Sequence, residues 1–282
     1  MNYKKILNVV GVAAVAVVFS IGCSEDPPPE DPIIPAVTPT PTKTDFTDVR
    51  DGKTYKKVTI GKQTWMAENL KYNAAGSKCF AEDGWTNFYD YMANNYISNY
   101  GDSLSTDYVE AICEKYGRLY DWATAMNGAS GSSKVPSGVQ GICPAGWHLP
   151  SFAEFDTLLL AVEGSPMWNN GNQLGGVKLT TTSGWYGDNS NRGNPVVGTD
   201  EYGFSALPGG YGSWRVNSNY HSYFSLWTDG AWWSAADGLC NGCDDGADYF
   251  NISASGGDAH AYTTHNYGCD KLDMLSVRCV QD

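Results

Sequence analysis

The chain has 282 residues, and 31 Asp and Glu against 18 Lys and Arg leave it a formal charge of −13. An acidic balance of this size repels nucleic-acid backbones and anionic lipid surfaces, which excludes a nucleic-acid partner. With 32 Gly, 13% aromatic and 17% charged residues, the composition suits strand- and loop-rich material rather than a helical bundle.

Lys4 and Lys5 precede an uncharged run from Ile6 to Gly22. As a helix that run spans roughly 25 Å, short of a bilayer core of about 30 Å. Residues 1–22 therefore read as a secretory signal peptide, whose removal would take the formal charge from −13 to −15. The tetrapeptide Ser20-Ile21-Gly22-Cys23 resembles a bacterial lipobox, although Ser20 stands where leucine is usual. The resemblance implies that Cys23 is lipidated and becomes the mature N-terminus; ordinary signal cleavage is the alternative.

Residues 23–44 form a linker in which Ser24 to Thr44 holds seven of the chain's thirteen prolines, among them Pro27, Pro28 and Pro29. Such a stretch buries no core and favours extended polyproline II, a semi-rigid stalk. Ser24-Glu25-Asp26 resembles the acidic export signal of some surface lipoproteins. The expected location is the cell envelope, lipid-anchored in the outer membrane and displayed at the surface. The membrane is then a partner through the N-terminal lipid.

The remaining segment, 45–282, is long enough for one domain with its own core. Thr54 to Ile60 and Gln63 to Met66 read as strands joined by a Gly61-Lys62 turn. Residues 72–112 read as irregular apart from a short helix near Tyr108 to Glu114. A brief helix is expected around Asp121 to Met126. The clearest helix starts at Ser151, which forms a capping box with Glu154. Phe155, Leu158, Leu159 and Val162 then share one face, and Gly164 ends the run. Beyond Gly198 come short strands, including Ala231 to Ala235, Asp248 to Ser253 and Leu275 to Val280. This is an α+β layout, a few helices on a twisted, loop-rich antiparallel sheet.

Eight cysteines in an exported chain read as disulfide material. Cys79 and Cys113 bracket an aromatic excursion, while Cys143 and Cys279 would join the start of the core segment to the final strand. Both pairs are expected. Cys269 is expected to take either Cys240 or Cys243, leaving one thiol free. Cys240-Asn241-Gly242-Cys243 is half of a zinc knuckle, but His260 and His265 lack the spacing of a second half, so no metal is assigned.

Several motifs occur in a fixed order. They include Asp51-Gly52-Lys53-Thr54-Tyr55, Trp65-Met66-Ala67-Glu68-Asn69-Leu70 and Tyr116-Gly117-Arg118-Leu119-Tyr120. Gly141-Ile142-Cys143-Pro144-Ala145-Gly146-Trp147-His148-Leu149-Pro150 follows, then Gly203 to Gly210, Trp232-Trp233-Ser234-Ala235 and Ser276-Val277-Arg278-Cys279-Val280. Together they resemble the Fibrobacter succinogenes major paralogous domain, over about Asp45 to Asp282. The resemblance implies an exported, often lipidated protein from a paralogue-rich bacterial family. The stretch from Trp147 onward is also similar in layout to the C-type lectin-like fold and to formylglycine-generating enzymes, an analogy of fold from which no activity follows.

Trp214, Tyr220, Tyr223 and Trp227, set among Ser, Asn and Gly in an expected loop, are the candidate ligand-binding residues, since flat aromatic faces suit sugar rings. Trp232 and Trp233 are adjacent, so as strand residues they face opposite ways and are read as core. Asp188, Asn189 and Asn191, or Asp237, Asp244, Asp245 and Asp248, could surround calcium, but the triplets of calcium-dependent lectins are incomplete here. No zinc-protease, nucleophile-elbow or phosphate-loop motif is present, and the catalytic cysteines of formylglycine-generating enzymes have no counterpart. His148 reads as a structural hydrogen-bonding group. The expected function is that of a non-catalytic, cofactor-free envelope lipoprotein that binds a glycan or another envelope component. A structural or protein-interaction lipoprotein is the alternative, and a lectin-fold enzyme is a third reading.

Overall fold

The computed structural model describes residues 41–82, 85–90, 95–99, 105–164, 175–187, 195–196, 198–215, 220–238, 245–254 and 260–282. For 85–90, 95–99, 214–215, 220–222 and 260–268 only the backbone is described.

The chain opens with strands β1 (Thr44–Thr47), β2 (Thr54–Ile60), β3 (Gln63–Met66), β4 (Trp85–Asp90) and β5 (Asn95–Asn99). Helix α1 (Thr106–Tyr116), β6 (Leu119–Tyr120), helix α2 (Trp122–Met126) and β7 (Trp147–His148) follow. Then come helices α3 (Phe152–Glu163) and α4 (Gly175–Leu179), and the short pair β8 (Trp185–Tyr186) and β9 (Pro195–Val196). The closing series is β10 (Gly209–Arg215), β11 (Tyr220–Leu226), β12 (Asp229–Gly238), β13 (Gly246–Ser253), β14 (His260–Asp270), β15 (Leu275–Ser276) and β16 (Val280–Gln281). The class is mixed α+β, with few helices and antiparallel-rich sheets. The described residues all lie in one compact unit, Thr40–Asp282.

Two sheets organise it. The smaller runs β1-β2-β3-β16-β7, so the last strand lies between strands from the start and the middle of the chain. The larger runs β14-β13-β12-β10-β11-β4-β5, with β15 and β6 attached beside β12. Its pairings are mostly antiparallel, as expected, but β10–β12, β12–β15 and β11–β4 pair in parallel. Strands β4 and β5 form an antiparallel hairpin inside the stretch expected to be irregular.

The local signals act as physical chemistry requires. The β2–β3 hairpin turns at Gly61, whose φ of +59° is a left-handed conformation that side chains resist. Ser151 caps α3 by accepting from the Glu154 N–H while the Glu154 carboxylate accepts from the Ser151 N–H, and Gly164 ends the helix at φ +72°. Phe155, Leu158, Leu159 and Val162 then point into one core with Val58, Ile60 and Trp65 of the small sheet and Trp232, Phe250 and Ile252 of the large one. The Phe155 and Phe250 rings stack at 4.7 Å.

A second core covers the opposite face of β12, where Ala231, Trp233 and Ala235 meet Tyr120, Met126, Cys143, Trp147 and Cys279. Trp232 and Trp233 are therefore both fully buried, one in each core. Each indole N–H finds an acceptor, Asn69 Oδ1 at 2.8 Å for Trp232 and the Tyr120 carbonyl at 2.7 Å for Trp233. Two disulfides close the domain, Cys79–Cys113 and Cys143–Cys279.

Candidate functional site

At one end of the second core the large sheet is left partly uncovered, and a cavity of about 140 Å³ opens there. Tyr211 of β10, Asp229 of β12, and Tyr249 and Asn251 of β13 line it, with Cys269 of β14. Ala231 and Leu275 complete the lining. The alternation of a strand explains the set. Ala231 is the register partner of Asn251, and Trp233, two residues on, is the partner of Tyr249, so these side chains share one face. The small Ala231 leaves open the space that the indole of Trp233 fills further along.

The polar groups are held in place. The Asn251 Nδ2 donates to the Gly230 carbonyl at 3.2 Å, and the Thr228 hydroxyl donates to Asp229 Oδ2 at 2.7 Å. Burial first, then the neighbouring Asp229 and Cys269, push the Tyr211 phenol above its usual pKa. Burial and then Asp273 push the Cys269 thiol far up as well, although a hydrogen bond with Tyr249 works against them. Both groups therefore stay neutral at physiological pH. A thiol held protonated is a poor nucleophile, because the thiolate is the attacking species.

Two larger grooves offer less. The one beside Cys79–Cys113 contains Lys53, Lys71 and Arg118, but Lys53 and Lys71 lie 3.8 and 3.0 Å from Glu114 and Arg118 lies 3.3 Å from Glu82. Its three cations already have carboxylate partners. The other is an open face of Thr44, Thr59, Thr64 and neighbours over the small sheet.

Two buried polar networks belong to the fold. Arg278 is fully buried and donates to Asn69 Oδ1 and to the Phe204 and Ser205 carbonyls, with the Phe204 ring 4.3 Å from its guanidinium carbon. Burial lowers its pKa to about 9, which leaves it charged at neutral pH. His148, also buried, sits between Glu154 Oε1 at 2.8 Å and Asp282 Oδ1 at 2.7 Å. Burial opposes the imidazolium, but the two carboxylates together outweigh it and hold the pKa above the ordinary histidine value. His148 is thus a structural hydrogen-bonding group.

The residues singled out from the sequence fare unevenly. Tyr223 is fully buried and Trp227 is 3% exposed, so neither presents a stacking face to a ligand, contrary to expectation. The expected loop is a β10–β11 hairpin. Its register sets Tyr223 opposite Gly212, whose missing side chain leaves room for the phenol ring against Phe80, 5.3 Å away. Trp227 is tied into the following turn, donating to the Pro208 carbonyl and accepting from the Tyr186 N–H. The side chains of Trp214 and Tyr220 lie outside the described residues, as does Cys23.

Cys269 is a free thiol rather than the expected disulfide half. It pairs in register with Ala247 and lines the cavity, while Cys240 and Cys243 lie outside the described residues. Of the calcium candidates, Asp188, Asn189, Asn191 and Asp244 also lie outside. The Lys271 ammonium stands 2.8 Å from Asp237 and 2.6 Å from Asp245, over the Trp122 ring, where a cation would have stood. Asp248 is buried against Gly238. Among the described residues no group of three or more His, Cys, Asp or Glu could hold a metal ion.

Sequence reasoning missed Tyr211, Asp229, Tyr249 and Asn251. The available signal was the spacing of two between Asp229 and Ala231 and between Tyr249 and Asn251, which marks one face of each strand.

The family model described as Fibrobacter succinogenes major domain matches residues 58–281. No curated protein and no solved structure matches the chain.

Proposed function

The chain belongs to the Fibrobacter succinogenes major domain family, and we propose that this member is an exported cell-envelope lipoprotein whose domain binds and does not catalyse. Cys23 is the lipid anchor, residues 24–44 are the stalk, and the outer membrane with surface display is the location. The domain follows a C-type lectin-like layout, a reading supported by the closing strand β16 lying between β3 and β7. The ligand is a glycan or another envelope component.

The observation that carries the reading is the cavity on the large sheet. Two tyrosines, an amide and a carboxylate line it beside Ala231 and Leu275, a mixture of aromatic, apolar and polar groups of the kind that holds a small ligand. The thiol beside them is held protonated, which suits recognition rather than covalent chemistry.

Two measurements test it. Wild-type protein should take up a labelled fatty acid and fractionate with membranes, and Cys23→Ala should do neither; uptake by the variant would remove the anchor. Immobilised protein should retain envelope polysaccharide or another envelope component, with Tyr249→Ala retaining less. Turnover of a bound glycan by the wild type would refute the non-catalytic reading.

A further inference from the structure

In the groove beside α1 the cations have carboxylate partners, but both sulfurs of Cys79–Cys113 line the wall. We propose that this disulfide is a thiol-exchange site, where a small thiol attacks Cys113 Sγ and Cys79 leaves as a thiolate held by Arg118.

Access selects the bond and the sulfur. The groove encloses about 470 Å³, within the range of small-ligand sites. Cys113 is half-buried while Cys79 is 5% exposed, so an entering thiolate meets Cys113 first. Cys143 and Cys279 are both fully buried, which keeps the second disulfide out of reach.

The leaving sulfur is prepared by its neighbour. Arg118 Nη1 donates to Cys79 Sγ at 3.2 Å and stands 3.6 Å from Cys113 Sγ. A cation beside a sulfur favours its thiolate, and a thiol of lower pKa departs faster. The guanidinium is fixed in place, since Nε donates to the Ser77 hydroxyl at 2.8 Å and Nη2 to the Ser77 carbonyl at 2.9 Å. Glu82, Glu110 and Glu114 act against that cation, while Lys53 and Lys71 act with it. Cys113 itself lies in the last turn of α1, where the helix carbonyls disfavour a thiolate.

The exchange balances without an outside oxidant. The thiol gives its proton to solvent, its sulfur bonds Cys113 Sγ, and the electron pair of the old bond departs on Cys79. Return attack by the Cys79 thiolate expels the thiol and restores the disulfide. The fold holds both halves meanwhile. Lys78 and Leu119 exchange backbone hydrogen bonds, and Phe80 and Ala81 pack in one core with Ile112 and Tyr116. Ala81 also has φ +63°, a left-handed conformation that side chains resist and that gathers at working sites.

The test incubates full-length protein in detergent micelles with reduced glutathione at pH 7.5, traps it with N-ethylmaleimide and maps the peptides by mass. Cys79–Cys113 should open at least tenfold faster than Cys143–Cys279, with glutathione on Cys113 and maleimide on Cys79. Arg118→Gln should slow opening threefold or more, and Arg118→Lys should recover part of the rate. Were Arg118 only a structural prop, its loss would loosen the site and speed the opening. Once this bond is reduced, alkylation of Cys79 against pH should show a midpoint below the ordinary thiol value of about 8.5, and Arg118→Gln should bring it back. If that variant fails to fold, the adduct pattern and the wild-type midpoint still decide. Equal opening of the two disulfides would overturn the site. Glutathione on Cys79 instead, or an unshifted midpoint, would overturn the role of Arg118.

Discussion

Arg278 donates two hydrogen bonds to the side-chain oxygen of Asn69, from Nε at 3.2 Å and from Nη2 at 2.8 Å, across 209 residues of sequence. The same oxygen accepts the Trp232 indole N–H, and the Asn69 amide nitrogen donates to the Tyr116 carbonyl at 2.7 Å. One amide therefore ties the second motif of the chain to the last. Removing it takes two hydrogen bonds from a buried guanidinium and leaves it only the Phe204 and Ser205 carbonyls, and hydrogen bonds to charged groups are each worth about 1.5–3 kcal/mol. Asn69→Ala should destabilise the domain by about 3 kcal/mol or more in urea unfolding. Arg278→Met, which removes the charge along with its need for partners, should cost less. The reverse order would show that the guanidinium, not the amide, organises this core.

His148 makes stability depend on pH. Its folded pKa is raised above the ordinary value of 6.5, so the native state keeps a proton that the unfolded chain has lost. The stabilisation is complete below pH 6.5 and is lost as the pH climbs through the folded pKa. Urea midpoints measured at pH 5.5 and pH 9 should fall more for the wild type than for His148→Gln. Identical falls would assign the titration to another group.

The disulfides should differ in weight. Cys143–Cys279 closes 136 residues and Cys79–Cys113 closes 34. In the chain-entropy model these loops are worth about 5 and about 4 kcal/mol. The double variant Cys143→Ala with Cys279→Ala should lose more stability than Cys79→Ala with Cys113→Ala, and also opens space in a fully buried site. Peptide mapping of non-reduced protein should recover both linkages.

Cys269 should be chemically quiet. With its thiol pKa pushed up by burial and Asp273, alkylation at pH 8 should be roughly tenfold or more slower than for an exposed cysteine. In urea without reductant it should label fully. Rapid labelling of the folded protein, read by peptide mass, would contradict the neutral thiol.

What the sequence determined by itself was local or tied to short spacing. The cap at Ser151, the stop at Gly164, the Gly61 turn and the buried stripe of α3 depend on residues within a few positions, where backbone geometry leaves few choices. The tryptophan pair was legible as core because adjacent strand residues must face opposite ways. Both cysteine pairs followed from what they bracket. The class and the family were also readable, since ordered motifs span the domain.

Tertiary structure alone decided the site. Tyr211, Asp229, Tyr249, Asn251 and Cys269 come from four strands that become neighbours only in the order β14-β13-β12-β10. A period of two says which residues share a face but not which part of that face another element covers. That coverage turned Tyr223 and Trp227 inward, left the β12–β13 face open at Ala231, and brought Lys271 between two aspartates. Each outcome depends on long-range packing, where the free energy lies in buried area and matched charge rather than in any residue's own preference.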